Sequence, residues 1–150
     1  MLNRRRWLQI GATLGAASTL LLNPLRALAA GRDGFAAETS DDAIKALLGD
    51  GTAEESELVK LKVPDIAENG AVVPISVSTE IAGVTAISIM IDNNPNPLTG
   101  RFELSSEVLA DVSTRVKMGE SSMVRVFVEA PDKVYTAAKE VKVTIGGCGG

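Results

Sequence analysis

Histidine is missing from all 150 residues, and cysteine occurs once, as Cys148. The first absence excludes Ser-His-Asp and Cys-His nucleophile systems within the chain, and the two together leave no imidazole or thiolate cluster for zinc or haem. A single cysteine also excludes an intrachain disulfide. No acid–base pair stands out as a shared catalytic site, so the chain reads as a non-catalytic protein with no resident cofactor or metal. Aromatic residues are scarce too, with one Trp, one Tyr and three Phe. The core must therefore come from Val, Ile, Leu and Ala. Excess positive charge is the last absence: 15 Lys and Arg face 19 Asp and Glu. That balance argues against nucleic acid, which calls for a basic stripe to meet its phosphates.

What charge the N-terminus has is all positive. Arg4, Arg5 and Arg6 precede an uncharged stretch from Ile10 to Leu22, and Ala27-Leu28-Ala29-Ala30 follows. A basic start, an apolar run too short to span a bilayer and a small-x-small site make an export signal, cut after Ala29. Arg4, Arg5, Trp7 and Leu8 fit the twin-arginine pattern, with Trp7 where Phe is usual and Gln9 where Lys is usual. An ordinary secretory signal with a basic start is the alternative. The twin-arginine route delivers folded proteins to the periplasm, and a partner subunit exported alongside is the better reason for it where no cofactor ligands are seen. Residues 1–29 are thus assigned to the signal, with no stable membrane anchoring after cleavage. The remaining chain has eleven basic and nineteen acidic residues, a formal charge of −8. Its length suits one domain.

Residues 30–40 read as a flexible lead-in. Ser40 as cap, Asp41 and Asp42 in a first turn, an apolar run to Leu48 and Gly49 as stop predict one short helix. From Leu58 the period changes to two. Val59, Leu61 and Val63 alternate with Lys60 and Lys62; Ile75 and Val77 with Ser76 and Ser78; Ile87, Ile89 and Ile91 with Ser88 and Met90. Val124, Val126 and Val128 follow the same rule, as do Val141, Val143 and Ile145. These are half-buried strands. Two more, over 101–105 and 112–118, bring the count to about seven, separated by turn signals at Glu68-Asn69-Gly70, Asn93 to Pro97, Gly119 to Ser121 and Pro131 to Lys133. Seven short strands at this spacing predict an immunoglobulin-like antiparallel β-sandwich over 41–145. Pro74 belongs at an edge or a bulge. Lys60, Lys62, Lys139 and Lys142 read as a solvated sheet face, with steering of small anions as a weaker role. The Asn-Pro loop from Asn93 to Leu98 is either a partner contact or simply what joins two strands.

The chain ends Gly146-Gly147-Cys148-Gly149-Gly150. Glycine has no Cβ and loses the most conformational freedom on ordering, so residues 146–150 predict a slender swinging arm that carries a thiol. Nothing in the motif lowers the thiol pKa, since it contains no cation, helix N-terminus or metal ligand. Cys148 is therefore a handle to be activated in other proteins' sites. An interchain disulfide, making this a structural or interaction subunit, is the alternative use of the same exposure.

The segment 63–75, the loop Asn94-Pro95-Asn96-Pro97-Leu98, the stretch 113–118 and the ending 143–150 together resemble SoxY, the sulfur-carrier family of bacterial Sox thiosulfate oxidation. The similarity spans nearly the whole chain beyond the signal, and Gly-Gly-Cys-Gly-Gly is its most specific element. Val116, where Ile is usual, is one small departure. The resemblance implies a periplasmic heterodimer with a SoxZ-like subunit, and sulfur intermediates held covalently on Cys148. It further implies that thiosulfate is coupled by the haem cytochrome complex SoxAX, that sulfate is released by the hydrolase SoxB, and that a sulfur dehydrogenase acts where one is present. Ubiquitin-like carriers, which react through a terminal Gly-Gly carboxylate, are the rival class; they need cytoplasmic ATP, which the export signal disfavours.

Overall fold

The computed structural model describes residues 33–144. A 3₁₀ turn (Gly34–Ala36) and helix α1 (Ser40–Leu48) precede nine strands: β1 (Ala53–Glu55), β2 (Val59–Lys62), β3 (Ile66–Ala67), β4 (Val73–Thr79), β5 (Ala86–Ile91), β6 (Leu98–Glu103), β7 (Asp111–Val116), β8 (Ser122–Glu129) and β9 (Val134–Val143). The larger sheet runs β1-β9-β8-β5-β6, with β3 also on β9, and the smaller runs β2-β4-β7. The predicted β-sandwich is what forms.

Its interior is aliphatic, as the shortage of aromatics requires. Val73, Ile75 and Val77 of the small sheet face Ile87, Ile89, Ile91, Val124, Val126 and Val128 of the large one, each at most 1% exposed. β-branched side chains suit a pleated surface because their single favoured rotamer costs little to fix there. β5 goes further than the half-buried reading, because all six of its residues are buried. The reason lies on the sheet's outer face, where α1 lays Ala43, with Ile44, Leu47 and Leu48, over Met90, Leu98 and Phe127. Beside it Arg101 donates to Ser88 Oγ at 3.2 Å and to both carboxylate oxygens of Glu129, the second at 3.0 Å. The bond from Glu129 holds the Arg101 guanidinium above its ordinary pKa, against the opposing effect of burial.

Several details correct the sequence reading. Thr39, not Ser40, caps α1: its hydroxyl accepts from the Asp42 amide at 3.2 Å. Ser40 is the first helical residue, and its hydroxyl reaches across to the Asp92 carbonyl at 3.3 Å. In the described part of the lead-in Gly34 is buried, where a Cβ would sit 2.8 Å from Leu98 Cδ2, while Asp33, Phe35 and Glu38 are exposed. Gly49 does stop the helix, at φ 60°. Pro74 lies in the middle strand of the small sheet, yet β2 pairs with β4 only from Ser76 to Thr79. At Pro74, which pairs with Arg115 of β7, the strand has a neighbour on one side only, so the proline sits at a local edge.

Two strands absent from the seven-strand reading both pair parallel with β9. β1 covers Val134 to Thr136 and β3 covers Lys142 and Val143. They shield the two ends of what would otherwise be a ten-residue open edge.

Candidate functional site

β9 leads directly to the glycine-flanked cysteine, so its end determines where that segment is rooted. Cys148, Gly146, Gly147, Gly149 and Gly150 lie outside the described residues, as do Arg4, Arg5, Trp7 and Leu8 of the signal. The root itself is described, as far as Thr144.

Every residue of that root is fastened. The Lys142 amide donates to the Asp65 carbonyl at 3.0 Å and the Thr144 amide to the Ala67 carbonyl at 3.1 Å. Thr144 Oγ1 donates to the Glu68 carbonyl at 3.2 Å. On the other side, the Val143 amide donates to Ser121 Oγ at 2.9 Å. Upstream, Lys139 Nζ lies 2.8 Å from Asp65 Oδ1 and donates to the Val63 carbonyl at 3.3 Å. The Lys139 bond to Asp65, with the attraction of the ammonium, holds the Asp65 carboxyl below its ordinary pKa.

The partners of β9 are themselves tied down by the Asn-Pro loop. Asn93 Nδ2 donates to the Ser121 carbonyl at 2.8 Å, and the Asn93 amide to Ser122 Oγ at 2.9 Å. Asn94 is bound twice, donating from Nδ2 to the Lys117 carbonyl at 2.8 Å and accepting at Oδ1 from the Gly119 amide at 3.2 Å. Asn96 Nδ2 reaches the Ala37 carbonyl at 3.2 Å. All three asparagine side chains are engaged within the fold, which gives the loop a structural role whether or not a partner also meets it. Glu68-Asn69-Gly70 is the tight turn predicted: Asn69 Oδ1 accepts from the Ala71 amide at 2.9 Å.

Ser121, Thr144, Asp65 and Lys139 are the residues of the root that the sequence reading did not single out for it. Only the turn signal at Gly119 to Ser121 and the Asn-Pro loop hinted at them. The four lysines read as one face are split: Lys60 and Lys62 point outward from β2, while Lys139 turns toward Asp65 on β9. Among the described residues no group of three or more His, Cys, Asp and Glu side chains gathers as a metal site. No described helix is long and apolar enough to cross a membrane. A hollow of about 550 Å³ lies beside α1, lined by Asp33, Asp42, Lys45 and Leu47 among others, and one of about 320 Å³ lies between the 79–84 and 105–110 loops, at the opposite end of the sandwich from the root.

Fold and root define a class: a two-sheet β-sandwich whose last strand is clamped on both edges before it runs on into a lone-cysteine segment. The family model described as "Sulfur oxidation protein SoxY" matches residues 44–148. The sulfur carrier protein SoxY from Chlorobium limicola f thiosulfatophilum is a solved structure 43% identical to this chain, with a TM-score of 0.64, covering 70% of this chain and 96% of its own. The chain belongs to the SoxY family of sulfur carriers. A superoxide reductase (neelaredoxin) from Ignicoccus hospitalis is similar at 17% identity and a TM-score of 0.52, over 58% of this chain and 80% of its own. A single-substitution variant of that reductase is similar at 16% identity and the same TM-score, over 63% and 83%. At such identity the likeness is one of fold alone. Among curated proteins the comparison finds no match.

Proposed function

We propose that this chain is a periplasmic, non-catalytic carrier that holds thiosulfate-derived sulfur covalently on Cys148 and presents it in turn to the enzymes of a Sox system. Loading joins the cysteine sulfur to the outer sulfur of thiosulfate: the thiol loses its proton, two electrons leave to a haem cytochrome complex of SoxAX type, and a cysteine S-thiosulfonate remains. Water then attacks the terminal sulfonate sulfur at a hydrolase of SoxB type. Sulfate and two protons depart without change of electron count, leaving a persulfide on Cys148. Persulfides and disulfides form by thiolate attack and are reversible, which suits a carrier.

The observation that supports this reading most is the clamped end of β9, four residues before Cys148. A tether is useful only if its base is fixed, because then its length alone sets the volume it searches. Four extended residues reach at most about 14 Å, enough to carry a thiol off the surface and into a channel. Glycine on both sides keeps the tip as narrow as bare backbone. The SoxZ-like partner, export by the twin-arginine route through Arg4, Arg5, Trp7 and Leu8, and the periplasmic site are parts of the same proposal.

Intact mass tests it. Native protein from thiosulfate-fed cells, purified without reductant, is expected to show masses of added sulfur or thiosulfate that vanish on reduction and are missing from Cys148→Ala. A bare chain, or only a disulfide-linked dimer, would sink the carrier reading and leave a structural subunit.

A further inference from the structure

The outer face of the small sheet is basic on an acidic chain. Its outward positions are Lys60 and Lys62 on β2, Pro74, Ser76 and Ser78 on β4, and Asp111, Ser113 and Arg115 on β7, opposite the buried Val59, Val73, Ile75, Val77, Val112 and Val116. Lys117, exposed between buried Val116 and Met118, continues the alternation. This face carries four cations and one carboxylate; the rest of the described chain carries six cations and eighteen carboxylates. Among the described residues Arg101, Arg125, Lys133 and Lys139 are in ion pairs, and none of the four cations on this face is. Among the described residues they are charges without an ion-pair partner.

Their arrangement selects the kind of partner. From Asp111 to Lys117 the face extends about 20 Å along the strand, and its two flanking strands stand about 10 Å apart. Its side chains stand on one outer sheet face, and Ser76 and Ser113 at its centre are already bonded to each other at 2.9 Å, an arrangement that suits a broad partner better than the enclosure of one small anion. It also has no aromatic side chain on which bases would stack, and the acidic remainder of the surface would repel a long polyanion running past it. A patch of this size with an opposite charge all around it fits a bounded acidic area on another protein. Lys62, Arg115 and Lys117 lie toward the root of the cysteine segment: Lys117 accepts from Asn94 through its carbonyl, and the next amide, of Met118, donates to the Gly70 carbonyl at 2.7 Å.

We infer that the outer face of the β2-β4-β7 sheet docks an acidic protein surface, the one surrounding the active-site mouth of the enzymes that act on Cys148. The identity of those enzymes rests on the carrier reading; the docking chemistry does not. Long-range attraction of this kind raises the association rate and fades with salt, as the Debye length falls from about 20 Å at low salt to about 8 Å at physiological strength.

The test replaces Lys60, Lys62, Arg115 and Lys117 together by Gln, a change confined to exposed side chains and checked by an unaltered melting curve. On a resin carrying short aspartate peptides of about four residues, small enough to sit within the face, the native chain should be retained at low salt and neutral pH despite its negative net charge, and the variant should flow through. Flow-through of the native chain overturns the proposal, and so does equally tight capture by vesicles of anionic lipid, which would make the partner a membrane. In extract of thiosulfate-fed cells lacking this gene, sulfur masses should build up on added native chain at a rate that falls about tenfold between low and high salt. The variant should start about tenfold slower and respond little to salt; equal rates overturn the proposal. If native chain and Cys148→Ala behave alike, the carrier reading fails, and the resin still judges the face.

Discussion

Asn94 uses both ends of its side-chain amide on backbone, with Nδ2 on the Lys117 carbonyl and Oδ1 on the Gly119 amide. An amide donates from one atom and accepts at another, so this one side chain joins two backbone groups of the neighbouring turn, and the loop itself accounts for the residue. Asn94→Ala leaves two backbone groups to find water or nothing, and should lower stability by about 1–2 kcal/mol in urea unfolding. Asn94→Asp keeps the acceptor and loses the donor, and should fall between. An Asn94→Ala variant as stable as the native chain would return the loop to the status of a contact surface. Gly83 is the counterpart on the opposite end: at φ 73° an added Cβ would meet Pro131 Cγ at 3.0 Å, so the position is closed to side chains twice over.

At the scale of elements, β9 is the strand that converts a sandwich into a platform. It is antiparallel to β8 along eight residue pairs, and parallel to β1 at its start and to β3 at its end. Ser121 supplies a side-chain bond to the Val143 amide at its end. Ser121→Ala should speed hydrogen exchange of the Val143 amide about fivefold while leaving amides in the middle of β8 unchanged. Protection of Val143 equal to the native level would mean that the end of β9 does not depend on this contact. The period of two revealed β2, β4, β5, β8 and the end of β9 in the sequence because each has enough residues to alternate, whereas β6, at Leu98–Glu103, is half-buried along most of its length and begins three residues before the expected 101–105. β1 and β3 have three and two, too few for any pattern, and they become strands only because β9 presents an edge. The start of β9 was obscured for a related reason: Tyr135 and Ala137 point inward but only partly bury, so Val134 to Glu140 shows weak alternation. Likewise Ser40 reads as a cap from its type and place, whereas backbone geometry gives that role to Thr39 one residue earlier. The candidate site was legible as chemistry, in one cysteine among glycines, and illegible as mechanics, because Asp65, Ser121 and Thr144 come together only through the fold.

For the molecule as a whole, the absence of histidine sets how it responds to pH. Imidazole is the side chain whose ordinary titration falls between pH 5 and 8, and this chain has none. In the exposed pairs that tie β9 to its neighbours, Asp65 and Lys133 are each shifted away from that interval. Asp65, bonded to Lys139, is held below its ordinary value, so its contribution is present above that value and is lost only as pH falls through the lowered one. Lys133, bonded to Glu54 at 2.7 Å, is held above its ordinary value, so its contribution is complete below that value and is lost as pH rises through the raised one. Both pairs are therefore intact across neutrality, and the urea midpoint of the folded chain should be flat from about pH 5.5 to 7.5, declining in acid and again in strong base. A step in the midpoint inside that window would show a group titrating there on unfolding that neither pair accounts for. On the carrier proposal, a platform indifferent to pH over this range leaves ionisation of the Cys148 thiol to set its reactivity, and an unperturbed thiol titrates at about 8.5. Alkylation of Cys148 by a neutral maleimide should accordingly rise about tenfold per pH unit across the same window while the fold stays constant.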